Sequence, residues 1–329
     1  MKEMLSNDKC YAVKGASVAF ASDGVLRDNL DIEEARTAFD FNIEKHKCFT
    51  QDGREIGGVM HLRRSDDDGI IPTRGLGVEF TPVQHHELFN YVVDEIMPKV
   101  PEFKLETVGT LNGGGTGIIM GSFGDKFQIA GDKSPYVNRL FILNPNGKSS
   151  VVMGFTNVRN FCQNQLLAAV SSAGKSVGKW GFRVMHTKNA ELVLDHAMDE
   201  IANQVEVAKD LRYREERLAA IPVNDGHLNA ILDKLYPLNK YEEGTRGWTR
   251  QLNLRNAVIE QFTTGKTAQE FTDHSALMLF QSITYPIHNP ASIGDGTDLA
   301  HITMSNTYGS RANKVSDIFR KVEQLVGVA

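Results

Sequence analysis

Eight cationic side chains, Lys133, Arg139, Lys148, Arg159, Lys175, Lys179, Arg183 and Lys188, fall between Lys133 and Ala190, a stretch that contains no Asp or Glu. The rest of the chain is acidic: of 36 Lys and Arg against 41 Asp and Glu, removing those eight leaves 28 against 41, a balance of −13 where the whole chain carries −5. The same stretch holds Phe155, Phe161, Trp180 and Phe182. Cations that neutralise phosphates, interleaved with aromatic faces on which bases stack, supply the chemistry needed to hold a single-stranded nucleic acid.

Two clusters concentrate that chemistry. In the first, Arg159, Asn160, Gln163 and Asn164 stand where a strand pattern gives way to a helix pattern, so that cations and free helix N–H groups converge on one anion. In the second, Lys175, Lys179, Trp180, Phe182, Arg183 and His186 alternate charge with rings, and Lys188 follows. Each stacked base in such an arrangement contributes roughly 1–3 kcal/mol without reading sequence. The competing reading is that Trp180 and Phe182 line the buried side of an amphipathic strand while Lys179, Arg183 and His186 are solvated.

Other chemistries fit less well. Gly147-Lys148-Ser149, Gly174-Lys175-Ser176 and Gly265-Lys266-Thr267 lack the glycine five positions upstream that lets a phosphate loop curl around its nucleotide. Gly113 to Gly117 miss the dinucleotide spacing and read as a flexible hairpin tip. Cys10, Cys48 and Cys162 are widely spaced, which predicts reduced thiols and neither a disulfide framework nor a cysteine zinc site. No metal-binding helix motif and no nucleophile elbow is present, so the chain reads as a binding protein without cofactor or metal. An enzyme acting on nucleic acid is the rival, with His186, Asp195, His196, Asp273 and His274 as groups that folding would have to gather. No run approaches the 18 or so apolar residues that span a bilayer, and the first ten residues carry no apolar signal core; both predict a cytoplasmic protein without a membrane partner.

The elements that must position these residues are legible in part. Residues 1–75 form an N-terminal segment ending in the acidic loop Arg64 to Gly69. Thr81 and Pro82 announce a helix carrying Leu88, Val92 and Ile96, closed by Pro98 and Pro101. Residues 76–188 are β-rich: Leu105 to Leu111 and Gly117 to Phe123 flank the glycine turn, and Arg139 to Leu143 pairs with Ser150 to Phe155 across Asn144-Pro145-Asn146-Gly147. A helix over Asn160 to Val170 completes a β-β-β-α unit. Residues 189–329 are mainly helical and pack on that core, with helices over Asn189 to Ala220, His227 to Tyr236, Gly247 to Phe262 and Val315 to Val326, and a loop-rich interval near Pro286 to Asp298. The fold class is α+β, an antiparallel β-β-β-α core with added C-terminal helices.

A succession of short motifs resembles a family of phage- and plasmid-borne proteins known as domain of unknown function 932. They are Gly77 to Gln84, Glu106 to Leu111, Phe155 to Asn164, Arg183 with His186-Thr187, and Asn256 to Glu260 with Asp273-His274. The resemblance runs from about residue 75 to 320 and implies a mobile-element setting. The strand-then-helix order further resembles the core of single-strand annealing proteins, a likeness of fold that does not fix function. Together these readings predict a protein that binds single-stranded DNA, or RNA, and promotes annealing in recombination or replication as a ring or filament of identical subunits. A host-interaction module presenting the Asn189 to Ala220 helix is a third expectation.

Overall fold

A computed structural model describes residues 8–14, 25–100, 102–147, 150–159, 181–190, 193–194, 196, 205–288 and 310–327. Its strands are β1 (Cys10–Val13), β2 (Val25–Arg27), β3 (Ile43–Phe49), β4 (Glu55–Arg64), β5 (Ile70–Leu76), β6 (Lys104–Leu111), β7 (Thr116–Gln128), β8 (Pro135–Pro145), β9 (Val151–Arg159) and β10 (Gly181–Val184). A seven-stranded sheet runs β10-β9-β8-β7-β6-β1-β2, and β3-β4-β5 form a smaller one. The large sheet is antiparallel except for β1 and β2. The class is α+β, as the sequence predicts, and β6 to β9 form the anticipated meander. The helix expected over Asn160 to Val170 lies outside the described residues.

The β8–β9 hairpin follows from its turn. Gly147 adopts φ +79°, which a residue with a Cβ reaches only at a cost, and the register it sets pairs Leu143 with Val152 and Leu140 with Phe155. Alternation along β8 then sends Leu140 and Ile142 to one face, where they join Val108, Ile119, Val151, Met153 and Val184 in a buried cluster. Helices α1 (Ile32–Arg36) and α2 (His85–Tyr91) cover that face through Ala35, Leu88 and Phe89, and α2 continues through Val92–Ile96 and Met97–Lys99 with Val92 and Ile96 in the same cluster.

Helix α2 starts at His85, later than the sequence indicates. The Val83 backbone is held outside the helix instead: its N–H donates to Asn146 Oδ1 at 3.1 Å, and its carbonyl accepts from Asn144 Nδ2 and Asn146 Nδ2, both at 2.8 Å. Side chains of the β8–β9 turn thus satisfy groups that a helix would otherwise use. His85 joins this network. Its Nε2 lies 2.9 Å from the Gly114 carbonyl, which can only accept, so Nε2 carries the proton and Nδ1 accepts from Asn144 Nδ2 at 2.9 Å. Phe39, Phe41 and Gly117 close around the ring, and a Cβ on Gly117 would stand 2.4 Å from Nδ1.

The Gly113 to Gly115 turn is packed, contrary to the flexible tip expected of it. Asp8 accepts from the Gly113 and Gly114 N–H groups at 3.0 and 2.7 Å, and Gly114 and Gly115 lie against Phe41, Arg64 and Ile71. Glycine serves close approach to the small sheet here. The acidic loop after β4 is likewise neutralised: Arg64, only 5% exposed, pairs with Asp66 at 2.6 Å and stands 4.0 Å from the Phe41 ring centroid.

The C-terminal helices are α3 (Val205–Ala219), α4 (Asp225–Leu235), α5 (Arg246–Thr263), α6 (Lys266–Glu270), α7 (Ala276–His288) and α8 (Ser310–Leu325). They enclose a second core of Leu218, Ile231, Leu232, Val258, Phe262, Phe280, Ile283, Val315 and Ile318, which also takes in Tyr136 of the sheet and Ile129 just past the end of β7. Backbone bonds from Lys133 N to the Glu270 carbonyl and from Thr272 N to the Gly131 carbonyl fix the join. Helix α7 replaces the first part of the predicted loop-rich interval. Its residues from Ala276 to Thr284 are buried whatever side they occupy, so no amphipathic stripe marked it in the sequence.

Burial, which outweighs the Gly114 hydrogen bond, lowers the His85 pKa from 6.5 to about 4. Between those values the unfolded imidazole binds a proton that the folded one refuses, so stability is full above pH 6.5 and drains away as pH falls towards 4, by on the order of 3 kcal/mol. Urea denaturation from pH 7 to pH 4 should show that loss, and a His85→Gln protein, already weaker at pH 7, should show a much flatter profile.

Candidate nucleic-acid interface

The acid-free stretch begins at the join of sheet and helices, runs along β8 and β9 and returns as β10, the outermost strand of the large sheet. Register places its cations. Arg183 in β10 is the Cα partner of Val152, which is the partner of Leu143, so Arg183 belongs to the face opposite Leu140 and Ile142. Its side chain is exposed, as is that of Lys188 just beyond the strand. Lys133 is exposed at the other end of β8, where its Nζ donates to the Gln269 carbonyl at 2.9 Å. Arg159 occupies the register position opposite Tyr136, seven residues along β9 from Val152, or about 23 Å at ~3.3 Å per residue. Among the described residues, Lys133 and Arg159 therefore lie towards one end of the sheet and Arg183 and Lys188 towards the other.

Arg139 corrects the expectation of a phosphate ligand. It is 2% exposed, and its Nε donates to Glu106 Oε2 on β6. Its place in β8 explains this: Val137, Arg139, Phe141 and Leu143 share a face by alternation, β7 and β9 flank the strand on both sides, and Phe141 and Leu143 are buried. A charge at such a position has to be paired. The Nη1 group has no hydrogen-bond partner, so the pair is incompletely satisfied. His186 is a second correction. It is 8% exposed and stacks on Phe80 with ring centroids 5.0 Å apart, while its carbonyl accepts from Thr81 N; it packs the chain end of β10 against the segment before α2 and does not face solvent.

Lys148, Asn160, Gln163, Asn164, Lys175, Lys179 and Trp180 lie outside the described residues, as does Cys162. Phe182 holds the β10 position opposite Met153. Of the residues named for an enzyme, His274 packs on Phe262 at 4.7 Å and Asp273 accepts from Thr272 in the helical region, whereas His186 sits against Phe80. These contacts belong to different packing clusters. Among the described residues no group of three His, Cys, Asp or Glu side chains is arranged to hold a metal ion. Among them, too, no helix is long and apolar enough to cross a membrane.

The structure also shows polar groups that the sequence did not flag: the His85, Asn144 and Asn146 network, and a Cys48–His61 contact on β3 and β4. The first joins residues some sixty positions apart, and no local spacing signals it. The second has a local signature only once the β3–β4 register is known, which pairs His46 with His61.

Comparison with known families gives one match. A family model described as domain of unknown function (DUF932) covers residues 76–321, well over half of the chain. The chain belongs to the DUF932 family. No curated protein and no solved structure matches it. The matched region begins at the last residue of β5 and ends within α8, so DUF932 as matched here spans both cores.

The Arg139–Glu106 pair makes a test that separates structure from binding. Arg139→Met alone leaves Glu106 without its cation inside the sheet and should cost about 3 kcal/mol, whereas Arg139→Met with Glu106→Leu should recover most of it. Urea midpoints of the three proteins measure this, with the slope of the transition unchanged.

Proposed function

We propose that this chain is a single-stranded-DNA-binding protein that promotes annealing in the recombination or replication of a phage or plasmid, acting in the bacterial cytoplasm. The observation that carries the reading is the absence of any acidic residue from Lys133 to Ala190 in an otherwise acidic chain, with Arg183 and Lys188 exposed at the outermost strand of the sheet. A polyanion approaching that edge meets cations without competing carboxylates from the same stretch. The paired Arg139 is excluded from the contact, and His186 contributes packing.

Annealing needs two things from a protein: cancellation of the repulsion between strands, and bases left accessible for pairing. Contacts to the backbone with an occasional stacked base meet both, and no bond is made or broken. No nucleotide cofactor enters this scheme. A single chain covers few nucleotides, so a ring or filament of subunits would supply avidity by multivalency. RNA offers the same phosphates and stacking faces, and the relative affinity for the two polymers is an outcome of the test below.

Fluorescence anisotropy of a labelled oligonucleotide across a salt series tests the proposal. Binding should weaken with salt, and replacing Arg183 and Lys188 by Ala should lower the slope of log K against log salt by about 1.4, since each lost phosphate contact on a single strand is worth about 0.7. The Arg139→Met, Glu106→Leu protein should keep the native slope. Flat binding curves at low salt, or a slope that those two exposed cations do not affect, would remove the proposal.

A further inference from the structure

Away from the acid-free stretch, the outer face of the small sheet carries a Cys–His contact with a defined polarity. Cys48 on β3 and His61 on β4 are both partly exposed, and Cys48 Sγ lies 3.5 Å from His61 Nδ1. On the other side of the ring, Arg63 Nε donates to His61 Nε2 at 2.9 Å. A guanidinium has no acceptor, so Nε2 must offer its lone pair and the neutral ring must carry its proton on Nδ1, facing sulfur. Arg63 is itself anchored, for its Nη1 reaches Asp68 Oδ2 at 2.6 Å. The ring stays neutral near pH 7 because burial, followed by Arg63 and His46, lowers its affinity for a second proton.

From this geometry we infer that Cys48 is a nucleophilic thiol, a modification site for small disulfides, oriented by His61 as hydrogen-bond donor and by Arg63 and Asp68 behind it. A donor fixed against sulfur stabilises negative charge there, and the guanidinium adds positive potential. His61 is a positioning residue here and does not act as base, because its Nδ1 already holds a proton. In the exchange, the Cys48 sulfur, its proton released to solvent, attacks one sulfur of the disulfide. A new S–S bond forms as the old one breaks, and the second sulfur leaves as a thiolate with the electron pair. A metal centre on the same residues would need the Nδ1 lone pair and would set Nε2–H against Arg63 Nε–H. Cys10 provides the internal contrast: it is 4% exposed and burial pushes its pKa up to about 12.

The experiment uses the full chain with Cys162→Ser, an aromatic disulfide that releases a coloured thiolate, and peptide mass spectrometry to locate the adduct. At pH 7 one thiol should react, at Cys48, with Cys10 silent. His61→Phe should slow it about tenfold, the scale of one hydrogen bond to a charged group, while His61→Asn, whose amide nitrogen replaces Nδ1, should restore most of the rate. Arg63→Met should slow it too, because the ring proton is then free to move to Nε2. Equal rates for the unaltered chain and for His61→Phe, at an unchanged melting temperature, overturn the inference. If His61→Phe is unstable, equal rates for Arg63→Met do so instead. Stoichiometric zinc that blocks labelling until chelated would overturn it in favour of a metal site.

Discussion

Strand β8 is hydrogen-bonded on both sides and buried on both faces, and that constraint organises the molecule. Apolar residues satisfy it at Leu140, Ile142, Phe141 and Leu143. Two polar side chains must be reconciled with it. Asn144 turns to the helix-covered face, where it gives its amide to Val83 and His85 and so sets where α2 begins. Arg139 turns to the other, where Glu106 compensates it across β7. Each buried polar group thus ties together elements that are remote in sequence. In a low-dielectric interior such contacts cost more to break than they contribute net to stability, which makes them specifying features.

The sequence made the meander legible because its signals are local. Asn146-Gly147 marks a turn, apolar runs bracket it, and β6 lies within a residue of the expected run, while β7 starts one residue early and extends five residues past Phe123. Helices α4, α5 and α8 were also legible, α4 and α5 to within two residues at each end, although the cap Asn224, whose side chain accepts from His227 N, was not among the signals read. What failed had no local signal. Helix α7 is buried on every side from Ala276 to Thr284, the start of α2 is decided by side chains near position 145, and the glycine turn is packed because the small sheet arrives on top of it.

The acid-free stretch was legible as composition, and the surroundings of two of its residues were misread for the same reason. A count of charges along the chain cannot see strand order, and strand order separates Arg139 from Arg183. Both lie on one face by register, yet one sits at the centre of the sheet and the other at its margin. The alternation of Val137, Arg139, Phe141 and Leu143, with apolar residues also on the intervening positions Leu140 and Ile142, was the available warning. His186 was expected in the interface, or in solvent on the competing reading, but it stacks on Phe80 and is buried. The edge of the sheet keeps the exposed cations, and an edge strand is where a flexible polymer meets the fewest obstacles.

The claim at the centre of this account is that a single-stranded polyanion lies on the acid-free stretch. Ultraviolet crosslinking of a bromouridine- or bromodeoxyuridine-containing oligonucleotide, followed by peptide mapping, addresses it most directly. The account predicts crosslinks confined to peptides between residues 133 and 190, with those carrying Arg183 and Lys188 among them. Crosslinks spread over the acidic remainder, or none at low salt, would contradict it.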